Sequence, residues 1–159
     1  MDERELLNIS PIDGRYHSKV AELGQYFSEY ALMKFRIYVE VEYFIAMTEL
    51  PIAQLKDFDS DNRGKLRNIY KKFNIDDCQQ IKATEAKINH DVKAVEYFIK
   101  DKVDELGFAK WKEFIHFGLT SQDINNTAIP ISLRDALIDV YAPLLEDLIN
   151  TLSELAIQW

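Results

Sequence analysis

Apolar side chains recur at helical spacing along most of this chain. Between Phe27 and Leu50 they follow steps of three and four residues, and Pro51 comes directly afterwards as a stop signal. This stretch therefore predicts a long core helix. A second, more polar helix is expected from Asp61 to Phe73, with Ser60 as its N-terminal cap.

A third helical run extends from Ile75 to Leu106, and Gly107 is placed to end it. Asn89, His90 and Asp91 interrupt the middle of this run. Asn and Asp are poor residues inside a helix because their side chains compete for backbone hydrogen bonds. We therefore expect the helix to break there, with Asn89 as the N-cap of a new helix.

The last stretch of the chain carries an apolar residue at almost every turn of a helix. This spacing is typical of a seam between packed helices, and Pro143 is expected to kink it. The stripe is wide enough to predict neighbours on two sides. It is unfinished at Trp159, so we expect the chain to belong to a longer protein. The seam consists of Leu133, Leu137, Val140, Leu144, Leu148, Leu152 and Leu155, and it is widened by Leu145, Ile149 and Ile157.

Composition narrows the classes of function. The 159 residues are 47% apolar with only 5 Gly and 4 Pro, which favours an all-α protein. A formal charge of −8 without a basic cluster argues against binding to nucleic acid or an anionic membrane. No apolar run approaches the ~20 residues that cross a bilayer, and the charged start Met1–Glu5 is unlike a secretory signal. Cys78 is the only cysteine, so we expect a cytoplasmic protein with a passive, half-buried thiol.

Three short polar segments carry residue types that suit a small polyanion. In the first, an Asp-Gly turn precedes Arg15 and Tyr16. A guanidinium offers a planar fork of donors to phosphate or carboxylate, and the phenol hydroxyl can add another donor. Taken alone, the segment is more often an ordinary turn followed by a surface Arg and a packed Tyr.

The second and third segments combine polar side chains with expected helix starts. Asn89, His90 and Asp91 form one, and Thr120 and Ser121 form the other, followed by an acid at position 123. Free N–H groups and the helix dipole attract anions at such places. A cap built from the same residues, without any ligand, is the simpler alternative for each.

The histidines do not predict a metal site. His17, His90 and His116 are far apart in sequence and lack paired metal-ligand spacing. We expect His116 to be a packed, hydrogen-bonded histidine beside Phe114 and Phe117, with contact to a ligand as the less favoured alternative. No phosphate-binding glycine loop or nucleophile elbow occurs.

Taken in order, the three segments resemble a known family. They run Ser-Pro-Ile-Asp-Gly-Arg-Tyr at 10–16, Asn-His-Asp-Val-Lys-Ala-Val-Glu-Tyr-Phe at 89–98, and His-Phe-Gly-Leu-Thr-Ser-Gln-Asp-Ile-Asn-Asn at 116–126. This series is similar to the N-terminal domain of the adenylosuccinate lyases, within the aspartase/fumarase superfamily. Gln122 stands where relatives often carry Ser or Glu. The likeness covers almost the whole chain.

The resemblance implies an all-α fold: an N-terminal substrate-binding helical domain at 1–128 and the truncated start of a central bundle helix at 129–159. It implies elimination of fumarate from adenylosuccinate, giving AMP, and from the succinyl-carboxamide ribotide of purine biosynthesis, with no cofactor and no metal. By the same resemblance, the residues that bind the nucleotide substrate are Arg15, Tyr16, Asn89, His90, Asp91, Thr120 and Ser121.

The resemblance also implies that the catalytic residues lie elsewhere. In the family, the acid is a histidine in a Thr-His-Gly segment and the base a serine on a later loop, and neither segment occurs in this sequence. The family forms homotetramers whose helices pool into a central bundle, so we expect a homo-oligomer when full length and an inactive chain by itself. Two alternatives stay open: a self-contained helical interaction module, and another fumarate-releasing lyase of the superfamily.

Overall fold

The computed structural model describes residues 8–159, so the charged start Met1–Glu5 lies outside the described part. Within that part no β-strand occurs, and the predicted all-α fold is confirmed. The α-helices are α1 (His17–Val20), α2 (Gly24–Phe27), α3 (Glu29–Met47), α4 (Arg63–Lys71), α5 (Ile75–Ile88), α6 (Asp91–Glu105), α7 (Ser121–Ala136) and α8 (Ala142–Gln158).

Tighter and wider helical turns join several of these elements. Short 3₁₀ segments occupy Ala21–Leu23, Ser60–Asn62 and Ala109–Phe114, and a π-helical turn occupies Leu137–Tyr141.

The described chain divides into two compact units. The first contains the described residues up to Ala31 together with Ser132–Trp159, and the second is Leu32–Ile131. The expected boundary between 128 and 129 stays a prediction.

The second unit has a continuous apolar core. Leu66 of α4 and Ile99 of α6 are fully buried in it, as is Phe44 of α3. Phe58, in the segment before α4, makes edge-to-face contacts with three other rings, at centroid distances of 5.2 to 5.7 Å. These rings belong to Phe44, Phe108 and Trp111. The core therefore fixes a segment that has no regular structure of its own.

The long core helix is shorter than its apolar pattern predicted. Helix α3 begins at Glu29 because Ser28 is extended and its Oγ accepts the N–H of Ala31 at 3.1 Å. Phe27 is 55% exposed and belongs to α2. At the other end, the helix stops at Met47, before Pro51 is reached.

The ends of the next helices follow their capping residues. Asp59, and not Ser60, caps the turn before α4, because the Asp59 carboxylate accepts the N–H of Asp61 at 2.9 Å. Asn74 begins α5 with a capping box that includes Asp77. Gly107 follows the end of α6 at φ 81°, as expected of a glycine that terminates a helix.

The first unit carries the predicted apolar stripe. Tyr26 donates a hydrogen bond at 3.2 Å to Asp139, which lies in the π-helical turn. This turn leads directly into α8, whose second residue is Pro143. Val140 is buried, whereas Leu148 and Leu152 are more than half exposed. No helix in residues 8–159 combines the length and the apolar character needed to span a membrane.

Candidate functional site

His90 is the N-cap of helix α6. Helix α5 ends at Ile88. Asn89 follows as its C-cap in the left-handed conformation (φ 53°, ψ 41°), and the Asn89 N–H donates to the carbonyl of Glu85 at 2.7 Å. His90 is extended, and its Nδ1 accepts the N–H of Lys93 at 3.1 Å. The predicted helix break is therefore confirmed, but Asn89 as its N-cap was wrong. Asn tolerates the left-handed region and closes the preceding helix, which leaves the capping role to the imidazole.

The ring of His90 also approaches the third polar segment. Because Nδ1 accepts a backbone N–H, the neutral ring carries its proton on Nε2. This nitrogen lies 3.5 Å from the hydroxyl oxygen of Ser121, 31 residues later in sequence. Such a separation is at the long limit for a hydrogen bond. The structure thus brings the N-cap of α6 beside the first residue of α7, with the His90 side chain half-exposed and Ser121 partly buried.

Thr120 precedes α7 in the arrangement that the sequence predicted. Its backbone N–H and its hydroxyl both donate to one carboxylate oxygen of Asp123, at 2.7 and 2.9 Å. These two bonds hold the pKa of Asp123 below its usual range. The hydroxyl of Thr120 is therefore engaged within the helix start, whereas the hydroxyl of Ser121 faces His90.

Asp91 is tied to a residue that sequence reasoning missed. Its Oδ2 lies 2.7 Å from Nη2 of Arg36, which is 95% buried, and Arg36 Nε donates to Asn125 Oδ1 at 2.9 Å. Burial by itself would raise the pKa of Asp91, but the bonds from the Val92 N–H and from Arg36 leave it lowered. One guanidinium therefore joins the start of α6 to the first turn of α7.

A second buried charge lies one turn further along α3. Glu40 is fully buried, and one of its carboxylate oxygens contacts Nδ1 of His116, whose φ of 62° is unusual for a residue other than glycine. The other oxygen has no hydrogen-bond partner. Burial raises the pKa of Glu40, His116 opposes that rise, and nearby Glu96 adds to it. His116 is packed and hydrogen-bonded, as expected, and Phe114 stacks obliquely on Phe117.

A sequence signal for these two charges did exist. Arg36 and Glu40 fall on the same face of α3 as Met33, Ile37 and Phe44, at the spacing of the apolar stripe. Charged residues inside such a stripe are rarely buried unless they are paired. The sequence could therefore have predicted that Arg36 and Glu40 are buried and paired, but it could not have identified their partners.

Arg15 and Tyr16 belong to the other compact unit. The turn that leads to them is closed by hydrogen bonds from the N–H groups of Asp13 and Gly14 to the carbonyl of Ser10, at 3.1 and 3.3 Å. The Arg15 guanidinium carbon lies 4.6 Å from the centre of the Tyr16 ring, a cation–π contact. Both side chains are exposed, so the segment presents a cation and a phenol hydroxyl to solvent.

A cavity of about 330 Å³ adjoins the start of α7. It is lined by Leu119 and Asp123 on one side and by Tyr38, Glu42 and Tyr43 of α3 on the other. The hydroxyl of Tyr43 donates to the carbonyl of Phe117 at 3.0 Å. Across the described chain, no cluster of three or more His, Cys, Asp or Glu side chains has the arrangement of a metal site.

Comparison with known proteins places the chain in a family. A family model described as "Lyase" matches residues 14–159, which takes in all the candidate site residues. The chain belongs to this lyase family. The expected family resemblance is thereby confirmed, together with the all-α fold.

Several curated members of the lyase family are similar to this chain along nearly all of its length. An adenylosuccinate lyase of Dictyostelium discoideum is 50% identical over 161 residues, covering 97% of this chain and 34% of the relative. An adenylosuccinate lyase of Escherichia coli strain K12 is 42% identical, covering 100% of this chain and 35% of the relative. The chain therefore spans about a third of the length of the curated relatives it matches.

Proposed function

We propose that this chain supplies the substrate-binding part of an adenylosuccinate lyase, a carbon–nitrogen lyase of purine and AMP biosynthesis. In this proposal, the complete protein eliminates fumarate from adenylosuccinate, giving AMP, and from the succinyl-carboxamide ribotide. The names of the relatives support the activity. The observation that carries the site is the approach of His90 Nε2 to Ser121 Oγ, which brings two separate polar segments together at two helix starts.

The chemistry of these two segments suits a substrate with several carboxylate and phosphate groups. His90 Nε2 and the hydroxyl of Ser121 are donors at the N-termini of α6 and α7, where the helix dipoles favour an anion. Asn89 and Asp91 flank the histidine in the proposed pocket. Thr120 stabilises the start of α7 through Asp123.

We assign Arg15 and Tyr16 to the nucleotide itself. A stacked guanidinium and phenol offer several donors, and phosphate recognition needs such donors because the chain has a net charge of −8. The proposed domain limits are 1–128 for substrate binding and 129–159 for the start of the central bundle.

The reaction also needs an acid to protonate the departing nitrogen and a base to remove a proton from the succinyl carbon. We assign neither role to a residue of this chain. The proposal therefore expects the 159-residue chain to be inactive by itself. Measurable fumarate release from adenylosuccinate by the purified chain would contradict this part.

The central test uses the complete protein, expressed from its own gene. Wild-type protein is expected to release fumarate from adenylosuccinate, and Arg15→Ala and Ser121→Ala are expected to raise KM. Loss of a hydrogen bond to a charged group costs about 1.5–3 kcal/mol, which corresponds to roughly a 10- to 160-fold change. Arg134→Ala and Ser60→Ala, at exposed positions outside the proposed site, are the matched controls. Wild-type protein without this activity, or site variants that match the controls, would contradict the proposal.

We further propose that the complete protein is a cytoplasmic homotetramer in which α8 packs against neighbouring helices. The exposed leucines of α8 support this, since a stripe of that length is costly to leave in water. Sedimentation analysis of the complete protein is expected to give a tetramer, and Leu148→Lys is expected to weaken it. A wild-type monomer at the concentrations of the enzyme assay would rule the assembly out.

A further inference from the structure

Helix α3 carries two charged side chains on its buried face, Arg36 and Glu40, one turn apart. Removing such groups from water is costly, and apolar residues of similar size would often pack at least as well. Their presence is therefore poorly explained by core stability. Their distinguishing feature is that they bind residues at or near the starts of α6 and α7.

Arg36 bridges the two helix starts that form the proposed site. Through Nη2 it holds Asp91, the residue after His90, and through Nε it holds Asn125, one turn after Ser121. A guanidinium is planar and its donors have fixed spacing. The separation of the two helix starts is therefore set by the dimensions of one rigid group.

Glu40 holds the segment that leads into α7. Its partner His116 lies in the left-handed region, and the carbonyl of His116 accepts the N–H of Leu119 at 3.3 Å. Tyr43, three residues after Glu40 on the same helix, holds the next carbonyl, that of Phe117. Helix α3 thereby fixes the path of the chain over the four residues before Thr120.

We infer that Arg36 and Glu40 are positioning residues. Through their contacts with Asp91, Asn125 and His116, they set the distance between His90 and Ser121. The inference rests on the proposed function for its consequence in catalysis. Its structural content, a separation fixed by buried charges of α3, can be tested without any substrate.

Arg67 serves as a control for Arg36 that shares its ion pairing but not its burial, since the Arg67 side chain is 39% exposed and that of Arg36 is 6% exposed. Arg67 lies on α4 and makes a bidentate pair with Glu42 of α3, at 2.8 and 2.9 Å. This pair includes no residue of the three polar segments. Arg36→Gln removes the guanidinium that binds Asp91 and Asn125, and Arg67→Gln removes the guanidinium that binds Glu42. Only Arg36→Gln is expected to move the two helix starts apart.

The structural measurement is nuclear magnetic resonance of the complete protein, with isotope-labelled histidine, serine and leucine. In wild type and Arg67→Gln, we expect a cross-relaxation contact between the His90 ring and the β-protons of Ser121. In Arg36→Gln this contact should disappear while signals from the core around Leu66 stay in place. If Arg36→Gln does not fold, Asn125→Ala removes one arm of the bridge and leaves the buried guanidinium paired with Asp91. An unchanged His90–Ser121 contact in the folded variant would overturn the inference.

The catalytic measurement uses the complete protein and adenylosuccinate. Misplacement of binding groups by about 1 Å can lower a rate roughly 100-fold, so Arg36→Gln is expected to lower kcat/KM by that order. Arg36→Lys keeps the charge but lacks the planar fork, so it should restore little of the loss, whereas a purely electrostatic role would be largely restored. Glu40→Gln should shift KM more than Glu42→Gln does.

The two sets of results separate the two claims. Wild-type protein that does not turn over adenylosuccinate contradicts the proposed function, and the resonance measurement still decides whether Arg36 sets the site distance. Active wild type with equal kinetics for Arg36→Gln and Arg67→Gln contradicts the positioning role alone.

Discussion

Glu40 gives the stability of this protein a pH dependence of unusual sign for a carboxylate. The side chain is fully buried, one oxygen has no hydrogen-bond partner, and burial raises its pKa. A raised pKa means that the folded state holds the proton more tightly than the unfolded chain does. The stabilisation is complete below the unfolded value of about 4.3 and is lost as pH rises through the folded pKa. Within that window the free energy of unfolding falls by up to about 1.4 kcal/mol per pH unit.

Glu40→Gln removes this titration while keeping the size of the side chain. We would measure urea unfolding of the 159-residue chain at a series of pH values upward from 4, for wild type and variant. The wild-type free energy minus that of Glu40→Gln should decrease as pH rises. Glu42→Gln provides the reverse control. The hydrogen bonds from Arg67 lower the pKa of Glu42, so the contribution of Glu42 to the free energy of unfolding is lost as pH falls. A difference for Glu40→Gln that is flat or that increases with pH would refute the reasoning.

Three further predictions concern stability and can be checked by thermal or urea unfolding of the same chain. Leu66→Ala should cost about 3 kcal/mol because the side chain is fully buried, whereas Leu50→Ala, at a position 57% exposed, should change little. Asn74→Ala should cost about 1 kcal/mol through loss of the capping box, and an unchanged midpoint would argue against that cap. Gly107→Ala should destabilise by roughly 1–2 kcal/mol because φ is 81°, while Gly64→Ala, in open space within α4, should stabilise by up to about 1 kcal/mol.

The helices were predictable because their apolar residues follow one period for many turns. Their ends were less so, since each end depends on a single side chain. Ser28 and Asp59 decide where α3 and the turn before α4 begin, and neighbouring polar residues would have satisfied the same rules. At Asn89 and His90 the break was predictable, but which residue would cap depended on backbone geometry: the left-handed conformation suits Asn, so the cap moved one residue on.

The polar segments of the candidate site were predictable from the sequence, but the buried α3 residues that hold them in place were not. The polar segments could be recognised from residue types and from the family resemblance. The bridge made by Arg36 could not, because its partner Asn125 lies 89 residues away, and no local pattern encodes a contact of that range. The same is true of Glu40 and His116, which are 76 residues apart.

The cap made by His90 also restricts the acid–base chemistry of the site. Its Nδ1 accepts the N–H of Lys93, so Nε2 faces Ser121 as a donor. To accept a proton, the ring would have to use Nδ1, and helix α6 would lose the capping hydrogen bond from the Lys93 N–H. In this conformation His90 can hold an anionic group, but it cannot remove a proton from a substrate that lies beside Nε2.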